Sequence, residues 1–562
     1  MGVATELLAT AGVRFYREPH HIPHRQGSPM ERNGGDVVVE TLTALGATHV
    51  FGIPGQNALG LFDAIRRSDL TFVSSRVENN SAFGADGYAR ATGEVGVLFL
   101  STGPGALTAL GALQEAYATG VPVLVIASQV PRAAMGLRRG ALHQLDDQQR
   151  SALNVTKSTA VARDSGQLPS LLADAWSLAQ SAPAGPTWVE IPQDVLLEPT
   201  DVPPVTSVAT AVTARPPRAD VVCAAAAALD GAQRPVILAG GGVRRSRGGA
   251  QALVALAEKI DAPVVSTVGG KGALSFDHPL SAASWIEDRH TTSLLEDADV
   301  LLAVGTAMGE VTSNYFTLSP TGTVIHVDAE ARVLGANHPA LAVHADAAQA
   351  LTAIAAQVTP RTRGDGADRA AALRAAVEDR LATQDVAAER ALIRDLRAAT
   401  PVAAHTFWDM TIAGYWAWSA WDPRDGEFHS AQGAGGLGFA FPAALAAAIG
   451  TGHRTLAVSG DGGAMYSIAE LATARQHDAD VTWLIVDDGG YGILREYMTG
   501  AFGQATATEL ARPDFVALAT SFGVPAHAAT LDTVGDVVAG TFTARGPAVV
   551  VLSATLRMFS AT

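Results

Sequence analysis

The sequence predicts an α/β protein built from three doubly wound parallel-sheet domains, on three observations. Short apolar runs of strand character alternate with Ala-rich or amphipathic helical segments along the whole chain, the pattern of sheets wound through by helices. The runs at 96–100, 121–127, 235–238, 300–304, 323–327, 455–458 and 482–486 are apolar almost without interruption, which predicts burial on both faces, as in parallel sheets. Two stretches read as linkers: 200–217, with prolines at 203, 204, 216 and 217, and 359–368, polar and Gly-containing. They cut the 562 residues into three blocks of similar size, as expected of a chain too long for one core. The blocks are set at 34–198, 218–357 and 380–562, after an extension over 1–33. In open sheets of this kind ligands sit at the carboxyl ends of strands, so function is sought in the loops that follow them.

Composition narrows the function classes. Hydrophobic residues make up 48% and charged residues 17%, which excludes disorder as the dominant state. A formal net charge of −16 argues against nucleic acid or an anionic membrane, since either needs a basic face. An anionic ligand would need a local positive partner: a metal, a helix N-terminus or one or two arginines. The single cysteine, Cys223, excludes an internal disulfide and a Cys-based metal cluster. Every Ala-rich run is broken by Gly, Pro or charge, so no membrane span is expected. The extension is polar, with His20, His21 and His24, and lacks the apolar core of a signal peptide. It is expected to be a loose tail rather than a three-histidine metal site, and Met30 is an alternative start. The expected setting is the cytoplasm.

The third block carries the strongest chemical signal. An apolar strand runs into Ser459-Gly460-Asp461-Gly462-Gly463, followed by a helical segment over 464–475. The next strand ends in Asp487-Asp488-Gly489-Gly490, and a helix follows from about Tyr491. Asp461 and, 27 residues on, Asp488 would offer hard carboxylate oxygens at two neighbouring strand ends. The carbonyl of Gly490 would add a third oxygen, a donor set that suits Mg²⁺ or Ca²⁺. A diphosphate on that metal would also meet the backbone N–H groups opening the next helix. This acid-Gly pair at this distance resembles the diphosphate motif of thiamine-diphosphate enzymes. The resemblance implies Mg²⁺ on Asp461, Asp488 and Gly490, with Gly460, Gly462, Gly463 and Tyr491 against the cofactor. Many family members have two asparagines where this chain has Asp487 and Asp488; Asp487 reads as the cap of the following helix.

The first block supplies further motifs: Phe51-Gly52-Ile53-Pro54-Gly55-Gln56, Asp63-Ala64-Ile65, Arg76-Val77-Glu78-Asn79-Asn80, Ala85-Asp86-Gly87-Tyr88-Ala89-Arg90 and Thr102-Gly103-Pro104-Gly105. Over most of 34–198 they resemble the pyrimidine-binding domain of the acetolactate synthase and benzoylformate decarboxylase group. The resemblance places Glu78 at the cofactor-activating position. A carboxyl bonded to the aminopyrimidine N1′ favours the imino tautomer, which then removes the thiazolium C2 proton. Such a Glu is expected to be buried enough to share a proton near neutrality. The plainer reading of Glu78 is a cap or an ion pair with Arg76. In the third block, Gly433-Ala434-Gly435-Gly436-Leu437-Gly438 opens an Ala-rich helix. In the family the residue at Leu437 is an apolar wedge under the bent cofactor, and the carbonyl at Gly435 accepts from its amino group.

The middle block resembles the family's central domain, which holds FAD in acetolactate synthases. Here Gly240-Gly241-Gly242 is an ordinary strand-end turn by itself, and the sequence weighs against bound FAD. Ala283-Ser284-Trp285-Ile286 and Thr306-Ala307-Met308-Gly309-Glu310 replace the Gly-Met-His-Gly element and arginine-rich segment of the synthases. The arginine that would hold a second keto acid's carboxylate goes with them. The resemblance places Gln56 and Gln144 at the substrate, with Gln144 near the reacting carbon and His143 beside it, although a lone histidine is more often structural; Ile493, Leu494 and Tyr497, spaced three and four on one helical face, would wall the substrate. Core packing is the alternative for the last three. Tyr415, Trp416, Trp418 and Trp421 are an aromatic cluster that would line a bulky pocket or simply pack. Pyruvate decarboxylases have Glu where this chain has Leu494, and without that proton donor capture by a second carbonyl is favoured. The expected activity is decarboxylation of a 2-keto acid with transfer of the remaining acyl unit to an acceptor carbonyl. The alternatives are a non-oxidative decarboxylase and an inactive paralogue that only binds cofactor. The family's sites lie between subunits, which implies a homodimer or homotetramer.

Overall fold

The computed structural model describes residues 32–361 and 364–560. The three histidines of the extension and Met30 lie outside the described residues. Among the described residues, seventeen strands form three all-parallel sheets. The first contains β1 (His49–Gly52), β2 (Thr71–Ser74), β3 (Gly96–Leu100), β4 (Val123–Gln129), β5 (Thr159–Val161) and β6 (Thr187–Pro192), in the order 2-1-3-4-6-5. The second contains β7 (Pro235–Ala239), β8 (Val264–Ser266), β9 (Val300–Val304), β10 (Thr323–Asp328) and β11 (Leu341–His344), in the order 11-10-9-7-8. The third contains β12 (His405–Trp408), β13 (Glu427–Ser430), β14 (Thr455–Gly460), β15 (Val481–Asp487), β16 (Ala526–Ala529) and β17 (Ala548–Ser553), in the order 13-12-14-15-17-16. Renumbered from its own first strand, the third sheet repeats the order of the first. The apolar runs read from the sequence are the central strands, and every residue of β3, β4, β7 and β9 is buried.

Three readings change at their edges. Residues 200–218 carry no helix or strand, but the second polar stretch runs into the helix Gly366–Ala382. Gly366 is buried there and its N–H donates to Asp261 Oδ2 at 3.0 Å. The helical segment after β14 starts earlier than read and breaks into Asp461–Ser467 and Glu470–Gln476. Trp416, Trp418 and Trp421 are core, fully buried with Trp418 Nε1 donating to Ser430 Oγ at 2.7 Å. Among the described residues no helix is long and apolar enough to cross a membrane.

The first and third sheets are joined within the chain by two crossed helices, Glu78–Thr92 and Ala440–Thr451. A Cβ on Gly87 would stand 2.3 Å from the Ala443 carbonyl, so only glycine allows the backbones this close. Phe83 meets Phe439 edge-on at 5.5 Å. Two buried acids fix the pair at its ends. Glu115 pairs with Arg90 at 3.2 Å and accepts from Gly433 N at 3.1 Å and Ala434 N at 2.7 Å. Glu470 accepts from Arg76 N at 2.9 Å and Asn80 Nδ2 at 3.1 Å. The first domain thus holds the glycine loop that precedes Leu437.

Candidate active site

The carboxyl ends of β12, β14 and β15 face one cavity of about 510 Å³, within the range of small-molecule sites. Asp409 follows β12, and its Oδ1 accepts from Ala440 N at 2.8 Å, tying the strand end to the start of the Ala-rich helix. Burial pushes the Asp409 carboxyl up to about 6. Gly460 at the end of β14, and Gly462 and Gly463 beyond it, line the cavity, and Asp461 is buried between them. Asp461 Oδ1 accepts from Gly462 N at 2.9 Å, but Oδ2 is buried without a hydrogen-bond partner. Beyond β15, Asp488 lines the cavity and its Oδ1 is likewise buried and unpartnered.

The charges at this end of the sheet are incompletely balanced. Arg512 stands 3.8 Å from Asp461 Oδ2, and Arg495 stands 3.6 Å from Asp488 Oδ1; both exceed hydrogen-bond length. Burial, then the neighbouring Asp488, pushes Asp461 up to about 6. Burial also raises Asp488, with Arg495 opposing. Two buried acidic oxygens without donors at neighbouring strand ends are the environment a hard cation satisfies. Asp487 does not cap the following helix. That helix is Gly492–Phe502 with Tyr491 at its N-cap, and Asp487 pairs instead with Arg512 at 2.8 Å. Gly490 has φ +149°, and a Cβ there would lie 1.9 Å from the Thr508 carbonyl; the tight bend after Asp488 therefore requires glycine.

Apolar groups close the cavity. Leu437 is 39% exposed although large and apolar, and it lines the cavity with Gly435 instead of entering the helix core. The helix Gly492–Phe502 contains no fully buried residue; Leu494 and Tyr497 are exposed cavity wall, Ile493 lines the cavity while packing against the core behind it, and Tyr491 joins them. Tyr415 also lines it, alone of the four aromatics around position 418.

The four first-domain candidates lie elsewhere. Glu78 opens its helix half-buried, with Oε1 against the Gly103–Gly105 turn. Gln56 is exposed after β1. His143 is exposed at φ +66°. Gln144 serves its own loop, donating to Ala134 O at 3.0 Å and accepting from Ala141 N at 3.2 Å. None of the four lines the cavity. Asp409, Arg512 and Tyr415 went unassigned or ambiguous in the sequence; Asp409 obeys the same strand-end rule that exposed Asp461.

Comparison with known proteins shows the family. Three models of one family match in order: the N-terminal TPP binding domain of thiamine pyrophosphate enzymes over residues 32–151, their central domain over 222–354 and their C-terminal TPP binding domain over 409–552. The chain belongs to the thiamine pyrophosphate enzymes, and its three-domain α/β fold is theirs. Within that family it is acetolactate synthase-like. A probable 2-ketoarginine decarboxylase of Pseudomonas aeruginosa is 34% identical over 87% of this chain and 88% of its own. The acetolactate synthase isozyme 2 large subunit of Escherichia coli is 30% identical over 88% and 90%. The acetolactate synthase of Bacillus subtilis is 29% identical over 93% and 94%.

Proposed function

We propose that the protein is a thiamine-diphosphate- and Mg²⁺-dependent decarboxylase of 2-keto acids. The observation that carries this reading is the pair of buried carboxylate oxygens without donors, on Asp461 and Asp488, beneath an apolar cavity. Those two residues and the Gly490 carbonyl would hold the metal. Gly460, Gly462, Gly463 and Tyr491 would border the diphosphate, Leu437 would support the bent cofactor, and the Gly435 carbonyl would accept from its amino group. When bound, thiamine diphosphate supplies a nucleophilic carbon and takes up the electron pair left by CO₂. Glu78 would hold the proton at the aminopyrimidine N1′. Ile493, Leu494 and Tyr497 would wall the substrate and exclude water.

Because Glu78 does not line its own chain's cavity, the reading includes a homodimer or homotetramer in which the pyrimidine-binding domain, 34–198, completes a neighbour's diphosphate-binding domain, 380–562. Gln56, His143 and Gln144 would come to the substrate by the same route. A second reading, transfer of the acyl unit to an acceptor carbonyl, draws on the apolar Leu494, which offers no proton to the product. Decarboxylation is preferred because the segment Thr306–Glu310 carries no arginine for a second carboxylate. FAD in 218–357 forms no part of the proposal.

The test is CO₂ release by the full chain with cofactor and Mg²⁺ from a panel of 2-keto acids, with and without an aldehyde acceptor. The 2-ketoarginine named for one relative heads the panel. Free aldehyde as sole product supports the first reading; a ligated product moves the assignment to the second. No CO₂ from any donor, in protein that binds cofactor, overturns both.

A further inference from the structure

Glu287 is a buried acid with half of its hydrogen bonding unmet. It lies between β8 and the helix Arg289–Glu296, only 5% exposed. Its Oε1 accepts from the Tyr315 hydroxyl at 2.6 Å, while Oε2 is buried without a partner. No Arg, Lys or His pairs with it among the described residues. An orphaned carboxylate oxygen in a protein interior is costly, and burial pushes the Glu287 carboxyl above its ordinary range, with the Tyr315 hydroxyl opposing.

Three phenols connect this acid to the cavity. Tyr415 and Tyr497 line the cavity directly. Burial is the largest influence raising Tyr315, Tyr415 and Tyr497, and the negative charge of Glu287 raises all three further. Tyr315 bonds Glu287 on one side and Tyr497 on the other, so the acid and Tyr315 stand one side chain behind the cavity wall, which neither of them lines. Tyr315 is delivered by a run of three non-glycine residues in left-handed backbone, Asn314, Tyr315 and Phe316 at φ +48°, +57° and +60°. Such backbone is held at a cost and is found where function needs it.

We propose that Glu287, with Tyr315, Tyr415 and Tyr497, is the subsite for the far end of the keto acid, and that this end is a cation, a guanidinium or an ammonium. A guanidinium would give the free carboxylate oxygen its missing donors, and the phenol faces suit a desolvated cation. A keto acid ending in carboxylate would meet a like charge and be rejected. The inference rests on the decarboxylase reading for its chemistry but on separate residues for its geometry.

The experiment compares 5-guanidino-2-oxopentanoate with 2-oxohexanoate, whose tail carries no charge, using the holoenzyme and its Glu287→Gln variant. The wild type should prefer the guanidino acid by about 10²-fold in kcat/KM. Glu287→Gln should lose most of that preference through KM, with 2-oxohexanoate changed by no more than about threefold. Tyr497→Leu, on the exposed helix, should cut the preference by about three- to tenfold. Calorimetry with 4-guanidinobutanoate, which lacks the keto group, separates the two proposals. Binding to the wild type and not to Glu287→Gln supports the subsite even if no keto acid releases CO₂. Equal or better use of 2-oxohexanoate by the wild type, or equal losses on both substrates in Glu287→Gln, overturns it.

Discussion

The first and third sheets share one strand order but treat the acids at their carboxyl ends in opposite ways. In the first, Glu190 on β6 is buried and accepts from Trp188 Nε1 at 3.0 Å, Gln129 Nε2 at 3.1 Å and Gln148 Nε2 at 3.2 Å. Gln148 Oε1 in turn accepts from Gly103 N at 2.9 Å, fixing the turn against which Glu78 rests. In the third, Asp461 Oδ2 and Asp488 Oδ1 have no such donors. One end is saturated by the protein's own N–H donors; the other is left without them. The same topology therefore leaves its acids saturated in one place and short of donors in the other, and the difference lies in a handful of strand-end side chains.

Substitutions at these acids should separate the two roles. Glu78→Gln, beside the saturated end, is expected to lower CO₂ release by about 10²–10⁴-fold with the melting temperature unchanged; activity within about threefold of the parent would sink its assignment. Glu115→Ala breaks a buried ion pair and strips two donors of their acceptor, so it should destabilise the chain by about 3–5 kcal/mol, read as a shifted urea midpoint. Asp461→Ala should weaken thiamine diphosphate binding by at least about tenfold in calorimetry with Mg²⁺. The cofactor-free form of that variant should be as stable as the parent or more so, since an unpaired buried acid has been removed. A large loss of stability there would erase the contrast between the two ends.

The smallest effect is a pH dependence. Burial raises Glu190 above its ordinary value of 4.5, with Trp188, Gln129 and Gln148 opposing. A raised acid binds its proton more tightly in the folded state, so its contribution is complete below the unfolded value and is lost as pH rises through the folded one. Relative to Glu190→Gln, the parent should therefore lose stability as pH rises from about 4.5. Parallel profiles for the two proteins would contradict this.

The central strands were legible because burial on both faces leaves an unbroken apolar run, and the loops after β14 and β15 because glycine and acid mark a strand end. Helix starts were less so: Asp461, Gly462 and Gly463 are helical although two glycines there weaken the local signal. Asp487 was misread because its partner, Arg512, lies 25 residues away and only the fold unites them. Glu287 and Tyr315 carry no sequence motif; their pairing across 28 residues depends on a left-handed loop.

The helix Gly492–Phe502 supplies much of the cavity wall yet buries none of its own residues within one chain, whereas the strands below it are buried almost throughout. Amide hydrogen exchange in a single chain should follow that division, fast along the helix and slow along β14 and β15. The wall can then breathe to admit substrates of different length while the acids beneath it keep their spacing.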